Sequence, residues 1–106
     1  MSYNLFIDDE RNPEEVFYLR RDEWYGLDWV IARSSNEAWN IVKERGLPDR
    51  MALDFCLNKN CDDLVTSFVR AYRMLQDTMP PYRVHSRAFM AKEMIDEIVV
   101  QLNFKK

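Results

Sequence analysis

A chain of 106 residues with 47% hydrophobic and 31% charged positions has room for one core and not for two, so a single domain over residues 1–106 is expected. Its net charge of −3 and pI of about 5.1 give no overall attraction for a phosphate backbone, which argues against nucleic acid as a partner and leaves only a local basic patch open. No apolar stretch approaches the ~20 residues that span a bilayer, and the N-terminus lacks a basic region leading into a long apolar one, so neither membrane nor secretory function is expected.

The chain opens on Leu5-Phe6-Ile7, an apolar run without alternation that reads as a strand buried on both faces. It stops abruptly at Asp8-Asp9-Glu10. Pro13 then favours a turn or the first turn of a short helix, with Val16, Phe17 and Leu19 as its apolar face. Arg20-Arg21-Asp22-Glu23 reads as solvated, and Gly26 as a break.

Trp29-Val30-Ile31-Ala32 is predicted as the second strand. Ser34 and Glu37 have the spacing of a capping box, in which the serine oxygen takes an exposed helix N–H and the glutamate reaches back. Ala38, Trp39, Ile41 and Val42 recur at helical spacing, and Gly46 with Pro48 ends the run, so a helix over 35–45 is predicted.

Arg50-Met51-Ala52-Leu53 rises into Asp54-Phe55 as a third strand that again ends in a carboxylate. Asn58-Lys59-Asn60 is a polar loop. Leu64, Val65, Phe68, Val69, Tyr72 and Leu75 form a stripe that predicts a helix over about 62–76. Asp62 and Asp63 would then sit in its first turn, where negative charge complements the dipole. Cys56 and Cys61, the only cysteines, have neither a second pair nor a histidine at zinc-finger spacing, and two reduced thiols in a cytoplasmic protein are expected. Pro80-Pro81 breaks the chain before a fourth strand, Tyr82-Arg83-Val84, which ends at His85-Ser86. Met90, Met94, Ile95, Ile98, Val99 and Leu102 mark a last helix over about 88–102, and Phe104 is expected to dock the tail.

Strands alternating with helices predict an α/β fold: a four-stranded parallel sheet with helices on both faces, a flavodoxin-like three-layer sandwich with strand order 2-1-3-4. In that order Asp8, Asp9 and Asp54 gather at one carboxyl edge, with His85 and Ser86 next along. Crowded carboxylates repel, and a hard divalent ion relieves them, so Asp8, Asp9 and Asp54 are candidate ligands for Mg²⁺, which is usually completed by a substrate phosphate. The plainer alternative is that these acids cap the turns after their strands. His85 can act in proton transfer or hold a phosphate oxygen, and Ser86 can donate to a phosphoryl oxygen. Arg11 either pairs with a carboxylate or clamps a phosphate.

Leu5-Phe6-Ile7-Asp8-Asp9-Glu10-Arg11-Asn12-Pro13 resembles the opening of receiver-like domains, above all the cyclic-phosphate processing receiver domains, some of which are carried by bacteriophages. Trp29–Ser34 with Glu37-Ala38, then Leu53-Asp54, then Val84-His85-Ser86, fit in order. The resemblance implies an acidic pocket in which Asp8 and Asp9 fall at the metal-binding pair and Asp54 at the position that accepts phosphoryl groups in ordinary receivers. The chain departs from that pattern at Phe55-Cys56, where the family has His-Asp, and at Arg87-Ala88-Phe89-Met90-Ala91, where it commonly has Asn-Pro and a glycine. It also shows no lysine after a fifth strand, which argues against phosphorelay signalling.

Two functions follow. In one, the domain is a degenerate receiver-like module that binds a protein partner, in a phage a host protein, through Arg20, Arg21, Trp24 and Tyr25, since aromatics and arginines anchor interfaces. In the other, it is a Mg²⁺-dependent enzyme acting on a phosphoester or cyclic phosphate, with Asp54, His85 and Ser86 as catalytic groups and Arg11 and Ser86 on the phosphate.

Overall fold

A computed structural model of the chain describes residues 2–20, 23–58, 60, 62–76, 79–85 and 90–103, without the side chains of 17–20, 23, 25 and 101–103. Strands β1 (Asn4–Ile7), β2 (Val30–Ala32), β3 (Arg50–Leu53) and β4 (Tyr82–Val84) alternate with helices α1 (Pro13–Arg20), α2 (Ser35–Arg45), α3 (Val65–Leu75) and α4 (Ala91–Asn103), and a 3-10 turn at Glu23–Gly26 precedes β2. All neighbouring strands are parallel, in the order β2-β1-β3-β4 that the sequence predicts. Among the described residues no helix is long and apolar enough to cross a membrane.

The pleat divides the strand residues between two faces. Leu5, Ile7, Met51 and Leu53 join Ala38 and Val42 of α2, Val65, Phe68, Val69 and Tyr72 of α3 and Ile95 of α4 in the main core. Phe6 and Ala52 face the other way, against Val16 of α1, with Trp24, Trp29 and Ile31 packed around them. Three helices therefore cover one face, and one helix with a 3-10 turn covers the other. Leu5, Phe6 and Ile7 are wholly buried, and each contributes roughly 1.5–3 kcal/mol by leaving water.

The helix starts follow local hydrogen bonding. Asn12 precedes Pro13 and makes half of a capping box with Glu15: the Asn12 N–H donates to Glu15 Oε1 (3.3 Å), while the Glu15 N–H turns to the Asn12 backbone carbonyl (3.0 Å). At α2 the Glu37 N–H donates to Ser34 Oγ (3.0 Å), but Glu37 Oε1 accepts from the Arg33 N–H (3.2 Å), one residue earlier than the expected box. Gly46 ends α2 with a φ of 88°, left-handed backbone that suits glycine.

The segment after β3 departs most from expectation. α3 begins at Val65, not near 62. Asp63 is drawn away from it: its Oδ2 accepts the Ser35 N–H (3.1 Å) and so caps α2, while its carbonyl accepts the Leu57 N–H (2.7 Å). A Cys56–Leu64 bridge closes the loop. Cys56 is disulfide-bonded, so the expectation of two reduced thiols is corrected; Cys61 lies outside the described residues. β2 begins at Val30, one residue later than expected, and the Trp29 indole beside it donates to the Trp24 carbonyl (3.2 Å). α4 begins at Ala91, and the stretch 86–89 before it and the tail with Phe104 are outside the description.

Candidate functional site

Asp8, Asp54 and His85 each sit one residue beyond a strand, and the sheet ladder extends to hold all three. The Asp8 N–H donates to the Ala32 carbonyl (3.1 Å), that of Asp54 to Ile7 (2.9 Å) and that of His85 to Leu53 (2.9 Å). Ile7 pairs with Leu53, and Leu53 with Val84. The register thus sets the three residues side by side at the carboxyl edge, the usual ligand-binding edge of an open α/β sheet. By the alternation of the pleat they lie on the Phe6–Ala52 face, the one with a single covering helix.

Asp8 is the centre of the cluster. Its Oδ1 accepts the backbone N–H groups of Glu10 and Arg11, both at 2.9 Å, which folds the loop after β1 around the carboxylate. Its Oδ2 takes Arg11 Nε at 3.1 Å and lies 2.9 Å from His85 Nε2. Four donors saturate this carboxylate. Burial works to raise the Asp8 carboxyl, but the hydrogen bonds from His85, Arg11 and Glu10 outweigh it and hold Asp8 below its ordinary range. Asp8 is therefore ionised and can only accept, so Nε2 is the ring nitrogen of His85 that carries hydrogen here. The imidazole is fully buried and stacks on Phe6, with centroids 4.8 Å apart and planes inclined by 7°.

Asp54 is less well compensated. Its Oδ1 accepts the Phe55 N–H (2.9 Å) and faces Arg11 Nη2 at a long 3.5 Å. Among the described residues its Oδ2 accepts no hydrogen bond. Burial, and then the charge of Asp8, push the Asp54 carboxyl above its ordinary value. Asp9 stands half-buried beside the cluster, also raised by burial.

The sequence gives no hint of Arg33 as part of this site. Its Nη1 donates to the carbonyls of Asp8 (3.2 Å) and Arg11 (2.7 Å), and its Nη2 to Asn12 Oδ1. One guanidinium thereby fastens the acidic loop to the end of β2.

Asp8, Asp54 and His85 each offer a ligand atom within 4.8 Å of the others, and this group can hold a metal ion. Two carboxylates with an imidazole suit Mn²⁺ as well as Mg²⁺. The open Asp54 oxygen fits such a cation, whereas Asp8 must release Arg11 or His85 to take part. Asp9, expected among the ligands, lies outside this group; His85 lies within it. Arg11 pairs with both carboxylates. Ser86 and Arg21 fall outside the described residues, as do the side chains of Arg20 and Tyr25.

Phe55 packs against the main core on the opposite face, and Cys56 is held in its disulfide. The two residues that depart from the expected polar pattern therefore do not fill the pocket. Trp24 packs across the single-helix face, edge-on to Trp29 with centroids 5.9 Å apart. The guanidinium carbons of Arg83 and Arg50 lie 4.5 and 5.7 Å from its ring centroid.

Residues 3–101 match the family described as cyclic-phosphate processing receiver domain. No curated protein matches the chain. A solved structure of the yeast Spc42 trimeric coiled coil in fusion with a further protein is similar at a TM-score of 0.55 and 16% identity, over 97% of this chain and 81% of that one. At that identity the likeness concerns the fold alone.

Proposed function

The chain belongs to the cyclic-phosphate processing receiver domain family, and from that premise we propose that it binds a cyclic phosphodiester in the Asp8–Asp54–His85 pocket and opens the ring by hydrolysis. The observation that carries this reading is the joint delivery of the three side chains by one register, with Phe55 turned to the far face. In the reaction, water attacks phosphorus, one ring P–O bond breaks, and the released oxygen takes a proton. Asp54, with its raised carboxyl, is the group suited to take the proton from water. His85, whose Nε2–H is held by Asp8, receives that proton on Nδ1 and passes it to the leaving oxygen, so that Asp54 and His85 both end as they began. Arg11 leaves the carboxylates to clamp the phosphoryl oxygens. A divalent cation such as Mg²⁺, held by Asp54 with Asp8, would supply charge neutralisation at the phosphate.

A second reading is favoured by Phe55 and Cys56 themselves, neither of which brings a proton-transfer group to the site. In it the pocket binds the cyclic phosphate without opening it, and the domain acts as a small regulatory module toward a protein partner. Phosphorus NMR of 2′,3′-cyclic and 3′,5′-cyclic nucleotides incubated with the protein and Mg²⁺ or Mn²⁺ decides between them. Ring opening that is lost in Asp54→Asn and His85→Gln supports the enzyme. Saturable calorimetric binding without a new phosphorus resonance supports the module. Neither binding nor turnover of any cyclic nucleotide defeats both.

A further inference from the structure

Strand β2 stands at the rim of the sheet, with β1 as its one strand neighbour. The Asp8 N–H donates to the Ala32 carbonyl, and along a strand the peptide groups that meet one neighbour alternate. Val30 and Ala32 therefore turn their N–H and carbonyl groups to β1, and Ile31 turns both of its own outward. Among the described residues neither group of Ile31 has a hydrogen-bond partner. The next outward N–H, that of Arg33, is taken by Glu37 Oε1, which closes the rim beyond Ile31. Two cavities open beside this strand. One, of about 330 Å³, lies among Glu14, Leu27 and Ile31; the other, of about 340 Å³, runs from Val30 to Arg45, and the two share Asp28. Leu27 is 41% exposed. Glu14 and Asp28 are exposed, and among the described residues neither carboxylate is in an ion pair. The described lining of the first cavity holds no cation.

We propose that this rim docks an extended segment of a partner protein, added to the sheet beside β2 with a basic side chain in the cavity of Glu14 and Asp28. Nothing in this depends on the chemistry of the Asp8–Asp54–His85 pocket. An unpaired peptide group on an outer strand is a ready template for an incoming strand. Pairing at Ile31 supplies two backbone hydrogen bonds, too few to hold a peptide alone, so the side chains beside it must add affinity and set the selectivity. A side chain entering the first cavity meets apolar Leu27 and Ile31 together with two carboxylates. Lysine and arginine suit such a place, because they carry a charge at the tip of an apolar stem. A second copy of this chain is the poorer occupant. Two β2 rims brought together would set the acids of one copy near those of the other, in molecules that each carry a net charge of −3.

The test is fluorescence anisotropy on the full chain, with a labelled peptide of about six residues in which lysine and valine alternate. Saturable binding is expected, and the counterpart with glutamate for lysine should bind at least about tenfold more weakly. The lysine peptide with its backbone amides N-methylated keeps the charge but cannot pair, and should lose about fivefold or more. Glu14→Gln/Asp28→Asn should weaken the unmodified peptide about three- to tenfold, as expected for exposed ion pairs. Hydrogen exchange should show the Ile31 amide open in the free chain and protected in the complex. Absence of binding at millimolar peptide overturns the proposal, as does equal binding of the N-methylated or the glutamate peptide. So does an Ile31 amide that saturating peptide leaves unprotected, or full affinity in a folded double variant. A chain that dimerises alone in sedimentation, with Ile31 already protected, assigns the rim to a second copy and overturns it too. None of these readouts uses a cyclic phosphate, so each outcome leaves the pocket reading as it stands.

Discussion

The imidazole of His85 lies nearly parallel to the ring of Phe6, 4.8 Å away, so the buried apolar run of β1 also orients the one histidine in the chain. Phe6→Leu keeps most of the apolar volume but removes the stacking surface. It is expected to cost on the order of 1 kcal/mol and to loosen the imidazole. Proton NMR reads this directly, because a single imidazole gives a single Hε1 signal. The wild-type signal should be shifted by the Phe6 ring current and should move toward the solvent-exposed position in the variant. An unchanged shift would refute the orienting role.

Arg11 bridges Asp8 and Asp54 much as a divalent cation would, with contacts of 3.1 and 3.5 Å. Guanidinium and metal therefore compete for the same carboxylates. Arg11→Gln should raise the affinity for Mn²⁺ about three- to tenfold by calorimetry, while lowering the melting temperature of the metal-free protein. The affinity for inorganic phosphate should fall in the same variant. Unaltered Mn²⁺ binding would place any metal away from this pair.

Much of this site could be read from the sequence because it depends on strand ends. Three apolar runs that stop at Asp8, Asp54 and His85 need only a parallel order to be brought together, and the order 2-1-3-4 is the simplest with right-handed crossovers. Asp63 could not be read the same way. Its position before an amphipathic run suits a helix start, but its carboxylate satisfies the Ser35 N–H of α2 instead, a contact between segments 28 positions apart. Arg33 was equally hidden, since its partners are backbone carbonyls that any sequence supplies. Phe55 shows the same limit in the opposite sense: it departs from the polar pattern that the resemblance implies for the pocket, but the pleat turns it to the other face, away from the site.

Asp8 and Asp54 should respond to pH with opposite signs. A carboxyl held below its ordinary value adds stability above the unfolded pKa of ~3.9 and loses it as pH falls through the folded value. Asp8 is such a group, and Asp8→Asn also leaves buried donors facing an amide, so a loss on the order of 2–3 kcal/mol is expected at pH 7. Asp54 is raised by burial and by Asp8, so its charge costs stability above the folded value, and the cost fades in acid. Asp54→Asn keeps the acceptor for Phe55 and should stabilise the metal-free protein by roughly 1 kcal/mol at pH 7, or ~4–8 °C in melting temperature. The gain should shrink as the pH falls toward 4. Melting curves between pH 4 and 8 check both signs, and a destabilised Asp54→Asn at neutral pH would contradict the account.

Arg33 should act on the site entirely through the loop it holds. Its guanidinium joins β2 to the carbonyls of Asp8 and Arg11 and to Asn12, and its own N–H is tied to Glu37 at the start of α2. Lysine can replace the charge but cannot span three acceptors with a planar fork. Arg33→Lys should therefore cost about 1–2 kcal/mol, and Arg33→Ala about 2–3 kcal/mol, since each leaves carbonyls without donors. Global unfolding alone would raise amide exchange everywhere. A positioning role predicts more: the amides of Glu10 and Arg11, which donate to Asp8 Oδ1, should lose protection by a larger factor than those of Phe6 or Leu53. The same variants should lower Mn²⁺ and phosphate affinity together, because Asp8 and Arg11 shift as one unit. Uniform loss of protection across the sheet, with ligand affinities unchanged, would show that Arg33 merely braces the fold.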